Sequence, residues 1–349
     1  MQVGHLGLNF SRPSTLQRAL ASTSGAQVYA RFDNLYGAGG LYYSESAIKT
    51  FADVIANGPA GEPTSAGMLV NGSDAPTLVQ GSGPVPHPGY SGTEHTVKVE
   101  WDADGVTGDR VVCEIRKDAN NRIPLHFVSG ILRLESFVAG SSEGFVAVAG
   151  VDDGGSHSAV LYWDEVSGTL SLDVDGQGLE GPEMNPDPLF GAWTDSTVPD
   201  GWTKVGTHNG SNYLEESPSG SLHMISDGTY IGVILPGFVP GMVYQSEYTG
   251  VVNTSGRFDN TIGAGTTVPI VSGDSTVVTV ATYTNFLLKR ANVTDASIAG
   301  LSVKATYTRS GLTLPTNLSQ IALGHSGGAN QLNGYVLELA AANGNQAWA

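Results

Sequence analysis

The chain has 349 residues, enough for about two domains that each bury an ordinary core. Only 14% of residues are charged, yet 33 Asp and Glu stand against 16 Lys and Arg, a formal net charge of -17 scattered without like-charge blocks. Such a field repels nucleic acid and anionic membrane, which argues against direct DNA or RNA binding, and no apolar run approaches the ~18 residues of a membrane span.

The 47 glycines follow no collagen period and belong to the turns of an all-β protein. Residues 1–90 are the least regular. Residues 11–20 predict a short helix with Pro13 in its first turn. Residues 46–58 predict the best helix of the chain, with a Ser46 cap, a stripe of Ile48, Phe51, Ala52 and Ile55, and a Gly58 stop before Pro59. The Gly/Pro-rich 81–89 reads as a linker. The start, Met1-Gln2-Val3-Gly4-His5, has neither a basic n-region nor an apolar h-region, so no secretory signal is expected.

From 91 to 180 the period is two: Val97, Val99 and Trp101 alternate with Thr96, Lys98 and Glu100. Strands are predicted there and at 111–116, 123–128, 131–137, 145–151, 159–163 and 170–174, seven in all, which means a sandwich. The lone Cys113, in register with Val111 and Ile115, reads as a buried apolar residue; stability must come from packing and oligomerisation. A second unit runs from Pro186 to about Lys304. Near the end, 314–324 and 331–339 read as two short strands joined by a Gly/Ser/Asn loop, with Asn333-Gly334 turning the backbone.

Several segments resemble known families. Leu323-Gly324 followed by Gln331-Leu332-Asn333-Gly334-Tyr335-Val336 resembles the C-terminal end of concanavalin-like (laminin-G-like) sandwiches, most of all those of tailed-bacteriophage structural proteins. Gly92 to Glu100 and Asn121 to Phe127 resemble the early strands of such a domain, and Leu8 to Thr15 with Ala30 to Asp33 resemble segments leading into it. Pro188-Leu189-Phe190, Gly201-Trp202 and the closing Ala296 to Lys304 resemble the bookends of carbohydrate-binding-module-like jelly rolls, with Gly237 to Tyr244 as the centre. The implied fold is all-β: a concanavalin-like β-sandwich plus a second jelly-roll β-sandwich, with a small irregular/helical N-terminal segment. Its domains are 1–90 for docking, 91–182 plus 312–342 for the discontinuous first sandwich, and 186–306 for the jelly roll. The second domain is thus expected as an insertion into the first; the competing arrangement packs 312–340 on domain two or on a neighbouring subunit.

Chemistry leaves little trace. The eight His are dispersed, with no His-x-x-x-His. Asp102-Ala103-Asp104-Gly105 and Asp173-Val174-Asp175-Gly176 lack the twelfth-position Glu of a calcium loop, where Cys113 and Met184 stand, and read as hairpin turns. Glu215-Glu216 are adjacent on a strand or loop and would point apart, so no opposed acid pair for glycoside hydrolysis is evident. Gly324-His325-Ser326-Gly327-Gly328 lies between strands and reads as a loop, not an oxyanion hole. No enzyme, cofactor or metal is therefore expected, although the resembled jelly rolls often hold one structural Ca²⁺ whose ligands do not map here.

Sugar binding needs aromatic faces beside amide and carboxylate groups on loops or sheet faces. Among Trp193, Trp202, Tyr213, Tyr230, Tyr244 and Tyr248, the resembled motif puts Trp202 in or near the core. The candidate glycan contacts are Trp193, Tyr213, Tyr230, Trp163 (one of Tyr162 and Trp163 should face out) and Asn330. The resemblance implies a virion-surface protein, on capsid or tail, made in the host cytoplasm without a signal peptide. It would be a fibre, spike or decoration protein, a homotrimer by analogy, docked to other virion proteins through residues 1–90 and holding host-surface glycan by weak, repeated contacts. A purely architectural protein and a polysaccharide-degrading spike enzyme are the alternatives.

Overall fold

The computed structural model of the protein describes residues 28–31, 41–44, 47–50, 62–64, 67–70, 77–79, 93–102, 108–261, 267–326 and 331–348. These residues form strands and turns and no helix. The chain divides into two units: Met1–Phe145 with Gly150–Gly176 and Arg309–Ala349, and Val146–Ala149 with Gln177–Thr308. In chain order the strands are β1 (Val28–Arg31), β2 (Leu41–Ser44), β3 (Ala47–Thr50), β4 (Glu62–Thr64), β5 (Gly67–Val70), β6 (Thr77–Val79), β7 (Glu94–Asp102), β8 (Arg110–Arg116), β9 (Arg122–Val128), β10 (Ile131–Val138), β11 (Ser141–Val148), β12 (Ser156–Asp164) and β13 (Thr169–Val174). The second unit adds β14 (Glu180–Glu183), β15 (Thr203–Gly206), β16 (Tyr213–Glu216), β17 (Leu222–Ser226), β18 (Ile231–Pro236), β19 (Val243–Thr261), β20 (Val268–Pro269), β21 (Gly273–Val280), β22 (Asn285–Ile298) and β23 (Gly300–Thr306). The last three are β24 (Thr308–Arg309), β25 (Gln320–Leu323) and β26 (Gly334–Asn343).

The first unit is a sandwich of two sheets. One runs β24-β13-β12-β7-β26-β1-β2-β3, with β5 also beside β26 and β4 beside β5; the other runs β11-β10-β9-β8-β25-β6. Antiparallel register lines up the buried rows. Leu339, Val99, Ala159 and Val174 cross one sheet, followed by Ala341, Val97, Leu161 and Leu172. Leu323, Cys113, Leu125 and Leu134 cross the other. All of these are buried, and alternation on each strand explains why: one parity faces the opposing sheet.

Four expectations need correction. Residues 47–50 are a strand, not part of a helix: β3 pairs with β2 through Tyr43↔Ile48 and its neighbours. Cross-strand pairing outweighs a weak 3.6-residue pattern. Residues 46 and 51–58, the helix over 11–20 and the linker over 81–89 lie outside the described residues. The described part of 1–90 is strand, and β1, β5 and β6 join the sandwich sheets beside β26 and β25. The two C-terminal strands are not a hairpin. β25 pairs with β8 and β6 in one sheet, β26 with β7, β1 and β5 in the other, so their connection passes between layers. Finally, a bulge between Val111 and Cys113 sets Val111 opposite His126 but Cys113 opposite Leu125, so the two do not share a face.

The second unit is built on the 19-residue β19, which changes partners along its length. Tyr244–Thr249 pair with β23, while Val252–Thr261 pair with β22. Register shifts after Tyr248, Asn253 and Ser255 mark the bends. Strand order is β14-β23-β19-β22-β17-β16, with β15-β18 beside β22 and β20 and β21 beside β19. An aromatic chain fills the core: Phe190 to Trp202 at 6.4 Å, Trp202 to Phe286 at 5.9 Å, Phe286 to Phe238 at 5.8 Å and Phe238 to Tyr244 at 4.7 Å between ring centres. Trp202 is buried there, and its Nε1 donates to Asn185 Oδ1 at 3.1 Å.

Candidate functional site

The best-organised outward surface of the second unit lies across β16, β17, β22 and β19. A short turn joins β16 to β17, held by Glu216 Oε1, which accepts from Gly220 N–H at 2.8 Å and Ser219 Oγ at 3.2 Å. That turn sets the register Tyr213↔Ile225 and Glu215↔His223. Leu214, Leu222 and Met224 then point inward and are buried, leaving Tyr213, Glu215, His223 and Ile225 on the outer face. β22 adds Asp295 beside Ile225 and Ser297 beside His223, and β19 adds Val252 beside Ser297. The face is therefore two rows, Tyr213–Ile225–Asp295 and Glu215–His223–Ser297–Val252.

His223 ties the rows together. Its Nδ1 lies 3.0 Å from Glu215 Oε1 and its Nε2 2.9 Å from Asp295 Oδ1. An imidazole donates from both nitrogens only when protonated, so the double bridge is complete only in the cationic form. The carboxylates are 42% and 43% exposed against 18% for the ring, so Glu215 Oε2 and Asp295 Oδ2 remain as acceptors facing solvent. An aromatic ring and a branched aliphatic side chain thus flank two fixed acceptors. This surface can stack on a C–H face while taking hydroxyl protons.

The sequence-derived candidates fare differently. Tyr213 opens one row of this face and is half-buried. Tyr230 is 44% exposed in the turn between β17 and β18, close to the end of the sheet where Tyr213 lies, since Asn212 Oδ1 accepts from Ser226 Oγ and Asp227 N–H. Trp193 is half-buried in a separate loop, its Nε1 donating to Phe190 O at 2.7 Å. Trp163 is not a surface contact. Its partner across the strand is His95, on the parity of Val97 and Leu161, so it is fully buried, while Tyr162 faces out opposite Thr96. Asn330 lies outside the described residues. Tyr244 and Tyr248 are core, and burial pushes the Tyr248 phenol far above its ordinary range.

Sequence reasoning missed Glu215, His223 and Asp295. The tight 217–221 turn could have set Glu215 against His223; nothing local points to Asp295, 72 residues further on. A shallow cleft lies elsewhere on this unit, lined by Glu180, Gln245, Glu247, Ser302, Lys304, Ala305 and Thr306. Its groups satisfy one another: Lys304 Nζ meets Glu180 at 3.2 Å and Gln245 Nε2 donates to Glu247 at 2.7 Å. With no aromatic ring and few spare polar atoms it is the poorer binding surface. Among the described residues no group of three or more His, Cys, Asp or Glu is arranged to hold a metal ion.

No protein-family model matches the chain, and no curated protein matches it in sequence. Similar solved structures include TmCBM61 in complex with β-1,4-galactotriose, at 11% identity over 35% of this chain and 98% of that one, TM-score 0.25. A mutant of HCR/D is similar at 7% identity over 93% and 94% of the two chains, TM-score 0.31. Domains LG4-5 of the mouse laminin α1 chain are similar at 11% identity over 77% and 84%, TM-score 0.22.

Proposed function

We propose that this protein is a glycan-binding surface protein that holds sugar on the β16-β17-β22 face without cleaving it. The observation that carries this reading is the Glu215–His223–Asp295 bridge set beside the Tyr213–Ile225 pair. A sugar ring lays its C–H face on Tyr213 and Ile225, and its hydroxyls donate to Glu215 Oε2, Asp295 Oδ2 and Ser297 Oγ. An exposed site of this size binds weakly, and repeated display raises avidity by orders of magnitude. The sequence resemblance to tailed-phage structural proteins supports display on a virion, as a fibre, spike or decoration protein engaged in attachment.

A glycan array combined with a reducing-sugar release assay on the full chain tests this. Binding without release, lost in Tyr213→Ala and weakened in Asp295→Asn, is the expected result. Release of reducing ends would make the protein a polysaccharide-degrading enzyme, and silence in both assays would leave an architectural role.

A further inference from the structure

On the first unit, the outward face of the six-stranded sheet carries an arginine whose guanidinium has no hydrogen-bond partner among the described residues. Register sets Arg133 of β10 opposite His126 of β9. Its guanidinium lies 4.3 Å from the centre of the Phe145 ring on neighbouring β11. Among the described residues Arg133 makes no hydrogen bond or ion pair, and its Nε is buried without a partner. Two acids lie near it, and each is hydrogen-bonded to another donor. Glu135 gives Oε2 to His126 Nε2 at 2.9 Å and Oε1 to Ser142 Oγ, and Asp109 Oδ1 accepts from Ser129 N–H at 3.2 Å.

The neighbouring arginine shows the contrast. Arg122 stacks on Phe137 in the same way, at 4.1 Å, but Glu114 takes its Nη1 at 3.0 Å. Arg133 has the platform without the partner. Burial draws its pKa down from the ordinary value, with Glu135 and Asp109 opposing, yet an arginine stays charged in a protein. Glu135 and Asp109 supply charge but no hydrogen bond, so the fork of this half-buried guanidinium stays open to an acceptor from outside. Stacking on Phe145 fixes the plane of the fork beforehand, so little side-chain entropy is lost when a planar carboxylate docks on it.

We infer that Arg133 on Phe145 is a second binding site, for the carboxylate of an acidic sugar such as a uronic acid, independent of the Tyr213 face.

The test is titration of the full chain with D-glucuronate, D-glucose and sodium sulfate, followed by ligand-observed NMR. Glucuronate is expected to bind in the millimolar range and glucose not at this site. Arg133→Gln should weaken glucuronate at least about tenfold, Arg133→Lys should not restore it because the fork is lost, and Tyr213→Ala should leave it unchanged. Should Arg133→Gln fail to fold, protection of Arg133 from phenylglyoxal by glucuronate in the unaltered chain reads the same contact. The inference is overturned if the unaltered chain ignores glucuronate, if Arg133→Gln binds it equally, or if sulfate displaces it at equal concentration, which would mark a bare anion site. Because the unit-two reading is judged on Tyr213→Ala and this one on Arg133→Gln, each stands or falls alone.

Discussion

Leu339→Ala is the most direct test of how the first unit is closed. Leu339 is fully buried on β26, opposite Val99 on β7 and in the row that continues to Ala159 and Val174. Truncating a leucine in such a site removes its transfer free energy and leaves a cavity, together about 2.7–5 kcal/mol. That is a large fraction of the roughly 5–15 kcal/mol that holds a domain together. At about 1.4 kcal/mol per factor of ten, amide protection in β7 should fall by about 10² to several 10³-fold. Hydrogen exchange read by mass spectrometry on peptides covering 94–102 measures this, with peptides from β17 as the reference. Exchange in β7 within about threefold of the unaltered chain would refute the pairing of β26 with β7, because a lost core leucine cannot be that cheap.

Three further outcomes are expected. His157 holds Asp175 Oδ2 at 2.8 Å and Asp153 Oδ1 at 2.9 Å; burial acts to lower its pKa, but its hydrogen bonds to Asp175 and then Asp153 win and raise it. Its contribution to stability is therefore complete below the ordinary histidine value of about 6.5 and is lost as pH climbs through the raised folded value; urea midpoints from mildly acidic to alkaline pH should show this decline, and His157→Gln should flatten it. Gly206 has φ +88° and a Cβ there would lie 2.0 Å from Tyr230 O, so Gly206→Ala should cost about 1–3 kcal/mol in urea unfolding of the second unit, and a neutral effect would mean β15 is not seated against that turn. His223→Gln, which keeps one donor but cannot bridge both carboxylates, should weaken glycan capture on an array about three- to tenfold while leaving unfolding midpoints nearly unchanged, since exposed ion pairs contribute about 0–1 kcal/mol.

Much of the all-β class is legible along the chain because alternation is a local signal: the parity of Val97, Val99 and Trp101 reappears as one buried face. The same parity, applied across the β7–β12 pair, would have placed Trp163 inside, but that pairing is not written locally. The Gly/Ser/Asn loop after Leu323 suits a hairpin and a crossing between sheets equally well, and only the partners of β25 and β26 decide which is formed. Ile48 fits a helical stripe and a strand alike; its place opposite Tyr43 is decided by β2. At the site, Tyr213 stands out by its polar surroundings, whereas the bridge from His223 to Asp295 depends on β22 returning beside β17, and Arg133 is conspicuous only once its neighbours are seen to be taken.

The order in which the strands leave the ribosome differs from the order in which they pair. β7 and β8 are translated before all of residues 177–308, and their partners β26 and β25 only afterwards. During that interval both carry a bare edge of backbone donors and acceptors, the surface on which strands from other chains aggregate. Slowing elongation between residues 176 and 320 should therefore lower the soluble yield more than an equal pause placed before residue 94.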